Sequence, residues 1–196
     1  MTVPSMICLK DKSLITIDKK EVMRYLRVLG NDEAFELFFE ECTDKVIKLS
    51  SPRAVYINTE VVFLDGYIDF GFMKVKSDSL NQNLKNCKNA FVFAATLGAE
   101  IDRECKKMVS ISQAKATVFN AIASAYIESF CDYVNEKLVS DLESRPRFSP
   151  GYGDLTLECQ KEILSFLHAT KNLGISLTES LMMIPIKSVT AIIGVK

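Results

Sequence analysis

Apolar and polar residues follow a helical repeat through most of the first fifty residues. The repeat predicts one helix over 18–29, with Asp18 as its N-cap and Gly30 as its stop, and a second helix over about 31–49. On or near one face of the second segment lie Phe35, Phe38, Phe39, Cys42 and Val46. A stripe of this kind indicates an amphipathic helix that buries one side.

The pattern changes to β-prone runs after about residue 52. Apolar and β-branched residues fill 54–57 and 61–64, and the Asp65-Gly66 pair that follows is a two-residue hairpin signal. The segment 90–96 is apolar throughout and bounded on both sides. Such a run is typical of a strand buried on both faces of a sheet.

The later segments do not alternate strands with helices in a regular way. The predicted elements are a strand at 67–72, helices at about 79–84, 100–109, 112–142 and 156–170, a loop at 145–154 and a strand at 188–195. The expected fold class is therefore α+β, with a central, largely antiparallel sheet flanked by helices. We expect an N-terminal helical segment, residues 1–50, and a main unit, residues 51–196, in one compact body.

The charge balance argues against several classes of protein. Lys and Arg number 24 against 25 Asp and Glu, so the net charge is −1, whereas a general nucleic-acid binder carries a basic excess. No run approaches the ~20 apolar residues of a membrane span, and the N-terminus lacks the basic lead of a secretory signal. We therefore expect a cytoplasmic chain with neither a nucleic-acid nor a membrane partner.

The six cysteines are scattered, and the chain has a single histidine, His168. A zinc site of Cys and His ligands requires paired spacings that the sequence lacks. Scattered cysteines in a cytoplasmic chain are usually reduced and packed as small hydrophobic residues. We expect no metal and no disulfide.

The 147–154 loop, Arg-Phe-Ser-Pro-Gly-Tyr-Gly-Asp, combines groups suited to a charged, flat ligand. Arg147 can pair bidentately with a carboxylate, and Pro150-Gly151 predicts a turn that exposes main-chain groups. Tyr152 adds a ring face and a hydroxyl. A nucleoside that carries an amino acid would use such a set. On the residues alone, an ordered turn in which Arg147 pairs with a nearby acid is the simpler interpretation.

The loop resembles the AdoMet-binding loop of the activation domain of cobalamin-dependent methionine synthase. In that family an arginine is followed by three residues and then Gly-Tyr, and Arg147, Gly151 and Tyr152 have the matching spacing. The segments 174–180 and 183–189 resemble the C-terminal part of the family, which contains a Leu-Thr-Glu-Ser run. The resemblance extends from about residue 90 to the end and makes 51–196 the AdoMet-binding unit.

The resemblance implies a role for six residues in cofactor binding and for none in catalysis. Arg147 would hold the methionyl carboxylate, and the main chain of Phe148, Ser149 and Gly151 would hold the adenine. Glu128, in the Ile-Glu-Ser-Phe stretch, would contact the cationic end of the ligand, although an exposed helical acid is its simpler interpretation. Tyr152 would lie between AdoMet and the corrinoid.

The implied function is that of a stand-alone reactivation subunit. It would bind AdoMet and support reductive methylation of cobalamin held by a partner methionine synthase, with a flavodoxin-like electron donor. The chain has no Asp-x-His-x-x-Gly cobalamin loop. The family also has an N-terminal aspartate that contacts AdoMet, in a context that includes a tryptophan. This chain has no tryptophan, and Asp18 is only a loose candidate for that aspartate.

Two alternatives remain open at the level of sequence. The chain could be a non-catalytic AdoMet-binding or corrinoid-interaction module that serves a different methyltransferase. It could also be a structural or regulatory α+β scaffold, in which Arg147 only stabilises a turn.

Overall fold

The computed structural model describes residues 3–27 and 33–196. The strands are β1 (Ser5–Cys8), β2 (Arg53–Glu60), β3 (Val62–Leu64), β4 (Tyr67–Asp69), β5 (Lys74–Val75), β6 (Asn89–Thr96), β7 (Ser176–Leu177), β8 (Met183–Ile184) and β9 (Ser188–Val195). The helices are α1 (Lys19–Leu26), α2 (Glu33–Leu49), α3 (Asp78–Asn83), α4 (Ala99–Ile111), α5 (Gln113–Val139), α6 (Cys159–Phe166) and α7 (Ala169–Leu173). A 3-10 turn (Lys12–Leu14) follows β1.

The main sheet has the order β1-β2-β6-β9, and each neighbouring pair is antiparallel. In the centre of the register, Val55 of β2 faces Ala94 of β6, and Val92 of β6 faces Ile192 of β9. The predicted fold class, α+β with a largely antiparallel central sheet, is confirmed.

Two hydrophobic cores lie on opposite faces of this sheet because successive strand residues point to opposite sides. Phe91 and Phe93 point into a first core with α1, α2, α4 and α5, whereas Val92 and Ala94 point into a second core with α3, α6 and α7. The strand β6 is therefore buried on both faces, as its apolar run predicted. The molecule has helices on both sides of one sheet.

The long helix α5 spans 27 residues and lies in the first core, where it contacts α1, α2 and α4. Small residues such as Ala121 and Ala125 are buried along it and let its neighbours approach closely. Its later turns reach the surface with Glu128 and Asp132, the side chains that border the candidate site. Among the described residues, no helix combines the length and the apolar character needed to cross a membrane.

The Asp65-Gly66 hairpin and the second helix follow the predictions closely. Leu64 faces Tyr67 across the two-residue turn, where Gly66 has a φ of 76°. In α2, Phe39, Cys42 and Val46 are buried, and the other two predicted residues pack partly buried against the same core.

Two features of the N-terminal part differ from the sequence-based expectations. The first helix ends at Leu26, not Leu29, because Arg27 adopts a left-handed conformation with a φ of 56°. The predicted stop at Gly30 lies outside the described residues. The strand β1, which was not predicted, adds an edge to the sheet within the segment expected to be helical.

The predicted helix over 156–170 is two short helices. His168 is left-handed with a φ of 49°, and it separates α6 from α7. The break turns α7 so that Ala169 and Leu173 enter the second core. Asn172 stabilises the break, since its side-chain amide donates to the carbonyl of Leu167 at 3.0 Å.

Candidate functional site

The 147–154 loop is held along the outer edge of β9. Phe148 and Ile192 exchange two main-chain hydrogen bonds of 2.9 and 2.8 Å, and the N–H of Arg145 donates to the carbonyl of Gly194 at 2.8 Å. The loop therefore continues the sheet by a short distance beyond its last strand. This attachment directs the Arg147 side chain towards the surface turns of α5.

Three internal hydrogen bonds shape the bend of the loop. The N–H of Tyr152 donates to Ser149 O at 3.0 Å, that of Leu155 to Tyr152 O at 3.0 Å, and that of Gly151 to Leu155 O at 2.7 Å. Gly151 has a φ of 93°, which L-residues with a side chain rarely adopt. The predicted Pro-Gly turn is therefore present.

The same bonds restrict what the main chain can offer to a ligand. Phe148 uses both its N–H and its carbonyl on β9, and the N–H of Gly151 is engaged within the loop. An adenine at this loop would have to use other main-chain groups, such as the N–H of Ser149. The ring of Phe148 packs edge-on against that of Tyr152, with centroids 5.9 Å apart.

Arg147 meets two carboxylates from α5. Its Nη2 donates to Glu128 Oε2 at 3.3 Å, and its Nη1 lies 2.7 Å from Asp132 Oδ1. The second contact is an ion pair by distance, yet Nη1 is fully buried and makes no hydrogen bond of good geometry within the described residues. Arg147 is thus held by one hydrogen bond and one ion pair, and its Nη1 lacks a well-aligned acceptor.

The two acids differ from Arg147 in exposure. The Arg147 side chain is 21% exposed, whereas that of Glu128 is 45% and that of Asp132 is 74% exposed. Beneath them Cys131 is fully buried, and this burial raises the pKa of its thiol far above the usual range. The guanidinium therefore lies on a buried apolar surface, and the two acids beside it can rotate into solvent.

A cleft of about 500 Å3 opens beside this ion pair. Its volume falls in the range of small-molecule sites, roughly 300–1,000 Å3. The lining residues are Glu128, Asp132, Asn135, Ser144, Arg145, Pro146, Arg147, Ser149, Tyr152 and Val189.

The cleft brings together four of the six predicted site residues. Glu128, Arg147, Ser149 and Tyr152 line it, and Tyr152 is 56% exposed. Phe148 supports the loop from behind, against the second core. Gly151 forms the bend, where a Cβ would lie 3.1 Å from Leu157.

Asp18 does not line this cleft. Its carboxylate accepts from the N–H of Lys20 at 2.8 Å and caps α1, as its sequence context predicts. At the other end of α1, the pKa of Tyr25 is raised. Burial contributes most, followed by the hydrogen bond with Glu21, and the nearby charge of Glu128 adds a smaller contribution. The helix approaches the site through its last turn.

Sequence reasoning missed Asp132, Asn135 and Arg145. Asp132 has the high exposure of a solvated helix charge, but it also contacts Arg147. A signal was available, because residues four and seven positions after Glu128 share its face of a helix. Arg145 donates to Lys85 O at 2.9 Å and borders the cleft, a placement that follows from the path of the loop.

The chemistry of the cleft is that of charge recognition. It offers two guanidinium groups, two carboxylates, a phenol and main-chain groups. In the described parts of the chain, no three His, Cys, Asp or Glu side chains gather in a way that could hold a metal ion. The six cysteines are free thiols.

Comparisons with known proteins point to one family. The family described as vitamin B12 dependent methionine synthase, activation domain, matches residues 76–196, which include the whole loop and β9. A search of curated proteins finds no match.

Among the solved structures that match is a crystal structure of the MetH reactivation domain bound to AdoHcy. It superposes with a TM-score of 0.71 at 16% sequence identity and covers 97% of this chain and 78% of that one. This likeness shows a shared fold. Since the family match covers more than half of the sequence, the chain belongs to the activation-domain family of vitamin B12-dependent methionine synthases.

Proposed function

We propose that the chain binds AdoMet in the Arg147 cleft and supports reductive methylation of cobalamin in a partner methionine synthase. The observation that carries the proposal is the position of Arg147, whose Nη1 has no hydrogen bond among the described residues, in the wall of a cleft of ligand size. Family membership supports the ligand class, and so does the fold shared with a domain that binds AdoHcy, the demethylated form of AdoMet.

The charges of the cleft match those of AdoMet. The ligand carries one carboxylate and two cationic groups, an ammonium and a sulfonium. Arg147 would bind the carboxylate through Nη1 together with Nη2, which Glu128 would release, in the bidentate geometry that guanidinium groups favour. Glu128 and Asp132 would then face the cationic groups instead of sharing Arg147.

The loop would hold the nucleoside end. Ser149 lines the cleft and can offer its N–H to the adenine, and Gly151, with its positive φ, provides the bend that holds the loop in this shape. Phe148 would support this wall from behind. Tyr152, half exposed at the cleft, would lie between AdoMet and the corrinoid.

Bound AdoMet would supply an electrophilic methyl group attached to a positively charged sulfur. The residues of this chain would bind and orient AdoMet. Placement is the main requirement, because the methyl sulfonium and the reduced cobalt of cobalamin are both intrinsically reactive. No side chain has to move a proton. We infer that the cobalamin is held by a partner methionine synthase, that a flavodoxin-like donor supplies the electron, and that both meet this chain in the cytoplasm.

Calorimetric titration of AdoMet into wild type and Arg147→Ala tests the ligand and the role of Arg147. We expect wild type to bind, and the variant to lose at least about tenfold in affinity, or ~1.4 kcal/mol, because a charged hydrogen-bonded pair is lost. Arg103→Ala is the matched control: Arg103 pairs with Glu100 on the surface of α4 and does not line the cleft. Equal affinity of the Arg147 variant and wild type would refute the assigned role.

A structural role for Arg147 is the second candidate, and its contact with Asp132 favours it. In that case the loop would be a scaffold and AdoMet would give no heat of binding at millimolar concentration. The same variant would then lose thermal stability without any effect on a ligand. The titration therefore separates the two functions directly.

Methyl transfer tests the partner. Labelled AdoMet, this chain and a reduced methionine synthase that lacks its own activation domain should together yield labelled methylcobalamin. A chain that binds AdoMet but fails here, and instead supports another corrinoid methyltransferase, would be the non-catalytic module. The Arg147→Ala variant provides the negative control.

A further inference from the structure

The short helix α3 touches the loop at both of its ends. At the start of α3, the Ser77 hydroxyl and the N–H groups of Asp78 and Ser79 donate to the carboxylate of Asp154, at 2.5, 2.7 and 3.1 Å. At the end of α3, the side-chain amide of Asn83 donates to the carbonyl of Pro146 at 3.1 Å. The loop is therefore pinned immediately before Arg147 and at its last residue.

Close packing strengthens the contact at Asp154. Gly153 has a φ of 54°, and a Cβ on it would lie 2.4 Å from Ser79 Oγ and 2.7 Å from Ser79 Cβ. No side chain fits at that separation. The main chain of the loop thus rests directly on the first turn of α3.

The helix is a firm base for the loop although it is short. Leu80 and Leu84 are completely buried in the second core, and Ser77 is 5% exposed. The Ser77 hydroxyl also accepts from the N–H of Leu80 at 3.0 Å, so it caps the helix while it donates to Asp154. Movement of α3 would disturb the core beneath it.

These donors stabilise the ionised form of Asp154. The hydrogen bond from the Ser77 hydroxyl, followed by that from the Asp78 N–H, holds the pKa of Asp154 far below its ordinary value. The carboxylate therefore stays charged at any physiological pH, and the anchor is permanent under those conditions.

We propose that Asp154 is a positioning residue for AdoMet binding, which ties the 147–154 loop to α3 and so holds Arg147 and Tyr152 at their places in the cleft. The proposal rests on the proposed function for its ligand. Asp154 does not line the cleft and acts through the loop alone.

The test compares Asp154→Ala with Asp154→Asn and with a matched control, Asp69→Ala. Asp69 also accepts a main-chain N–H, from Gly71 at 2.7 Å, and its pKa is also lowered, but it does not line the cleft. We expect Asp154→Ala to lose at least about tenfold in AdoMet affinity, measured by titration well below the unfolding temperature. Asp154→Asn keeps one oxygen acceptor and should lose about threefold. Asp69→Ala should bind like wild type.

Amide hydrogen exchange supplies a readout that needs no ligand. The N–H groups of Gly151, Tyr152 and Leu155 are bonded within the loop. In Asp154→Ala they should exchange at least about tenfold faster, while the amides of β6 keep their protection, because the change is local and not global. A general loss of stability would accelerate both sets together.

Each outcome of these experiments supports or overturns the role of Asp154. Unchanged affinity, unchanged loop exchange, or an equal loss of affinity in Asp69→Ala would overturn the proposal. If wild type does not bind AdoMet, the proposed function fails, and the exchange of the loop amides alone decides whether Asp154 positions the loop. If Asp154→Ala does not fold, Asn83→Ala replaces it, with an expected loss of about threefold in affinity and the same acceleration confined to the loop.

Discussion

At the scale of single residues, Arg147 can pair either with acids of the protein or with the carboxylate of a ligand. Without a ligand it faces Glu128 and Asp132, and the closer of the two contacts lacks hydrogen-bond geometry. The Asp132 side chain is 74% exposed, so water screens its charge and weakens its hold on Arg147. A ligand carboxylate that satisfies the buried Nη1 would therefore displace Asp132 at small cost.

Asp132→Asn should have only a mild effect on AdoMet affinity. The variant removes an exposed competitor for Arg147 and, equally, an attraction for the cationic groups of the ligand. Because both terms are screened by water, we expect AdoMet affinity to change by less than about threefold, measured by titration at 0.15 M salt. A loss as large as that of Arg147→Ala would mean that Asp132 holds the ligand directly.

Gly153 shows how one missing side chain permits contact between two elements. The loop and the first turn of α3 meet there, and the contact leaves no room for a Cβ. Because the two elements lie more than seventy residues apart in sequence, the loop depends on a long-range contact for its shape. The site is thus built from elements that the chain brings together only on folding.

We expect Gly153→Ala to lower the unfolding temperature of the protein. The substitution combines a left-handed φ with a clash against Ser79, at about 1–3 kcal/mol in total, so a decrease of several degrees should be seen by circular dichroism. Gly66→Ala is the matched control, because Gly66 also has a positive φ, 76°, but nothing lies within 4 Å of a Cβ there.

Comparison of the two variants separates the effect of the contact with α3 on stability from the effect of backbone strain. A Gly153→Ala protein no less stable than the Gly66→Ala protein would show that the loop does not rest on α3. Addition of Ser79→Gly to Gly153→Ala should recover part of the lost stability.

At the scale of the whole molecule, carboxylates bonded in the folded state make stability depend on pH. The pKa of Asp154 is lowered by the Ser77 and Asp78 hydrogen bonds, and that of Asp69 by the N–H of Gly71. A carboxyl whose folded pKa is depressed stabilises the protein above its unfolded pKa. That stability is lost as the pH falls through the folded value.

The difference in unfolding temperature between wild type and Asp154→Asn should therefore narrow in acid. We expect wild type to be the more stable at pH 7, and the difference to begin to shrink as the pH falls to about 4, the ordinary pKa of an unfolded aspartate. Thermal unfolding at a series of pH values from 7 to about 3 measures this. A difference that stays constant would show that the charge of Asp154 contributes nothing.

Local signals along the chain were sufficient for most elements of the fold. The hairpin at Asp65-Gly66, the buried run of β6 and the strand β9 follow from turn chemistry and periodicity, which act between near neighbours. The break at His168 and the edge strand β1 could not be predicted in this way. Both depend on distant partners: the second core for α7 and the strand β2 for β1.

The sequence by itself determined the fold class, the family resemblance and the residue types of the 147–154 loop, because these depend on local composition and spacing. Only the tertiary structure decided that Arg147 faces Glu128 and Asp132, that a cleft opens beside them, and that Asp154 rests on α3. Such contacts join residues far apart in sequence, and packing of the whole chain sets their distances.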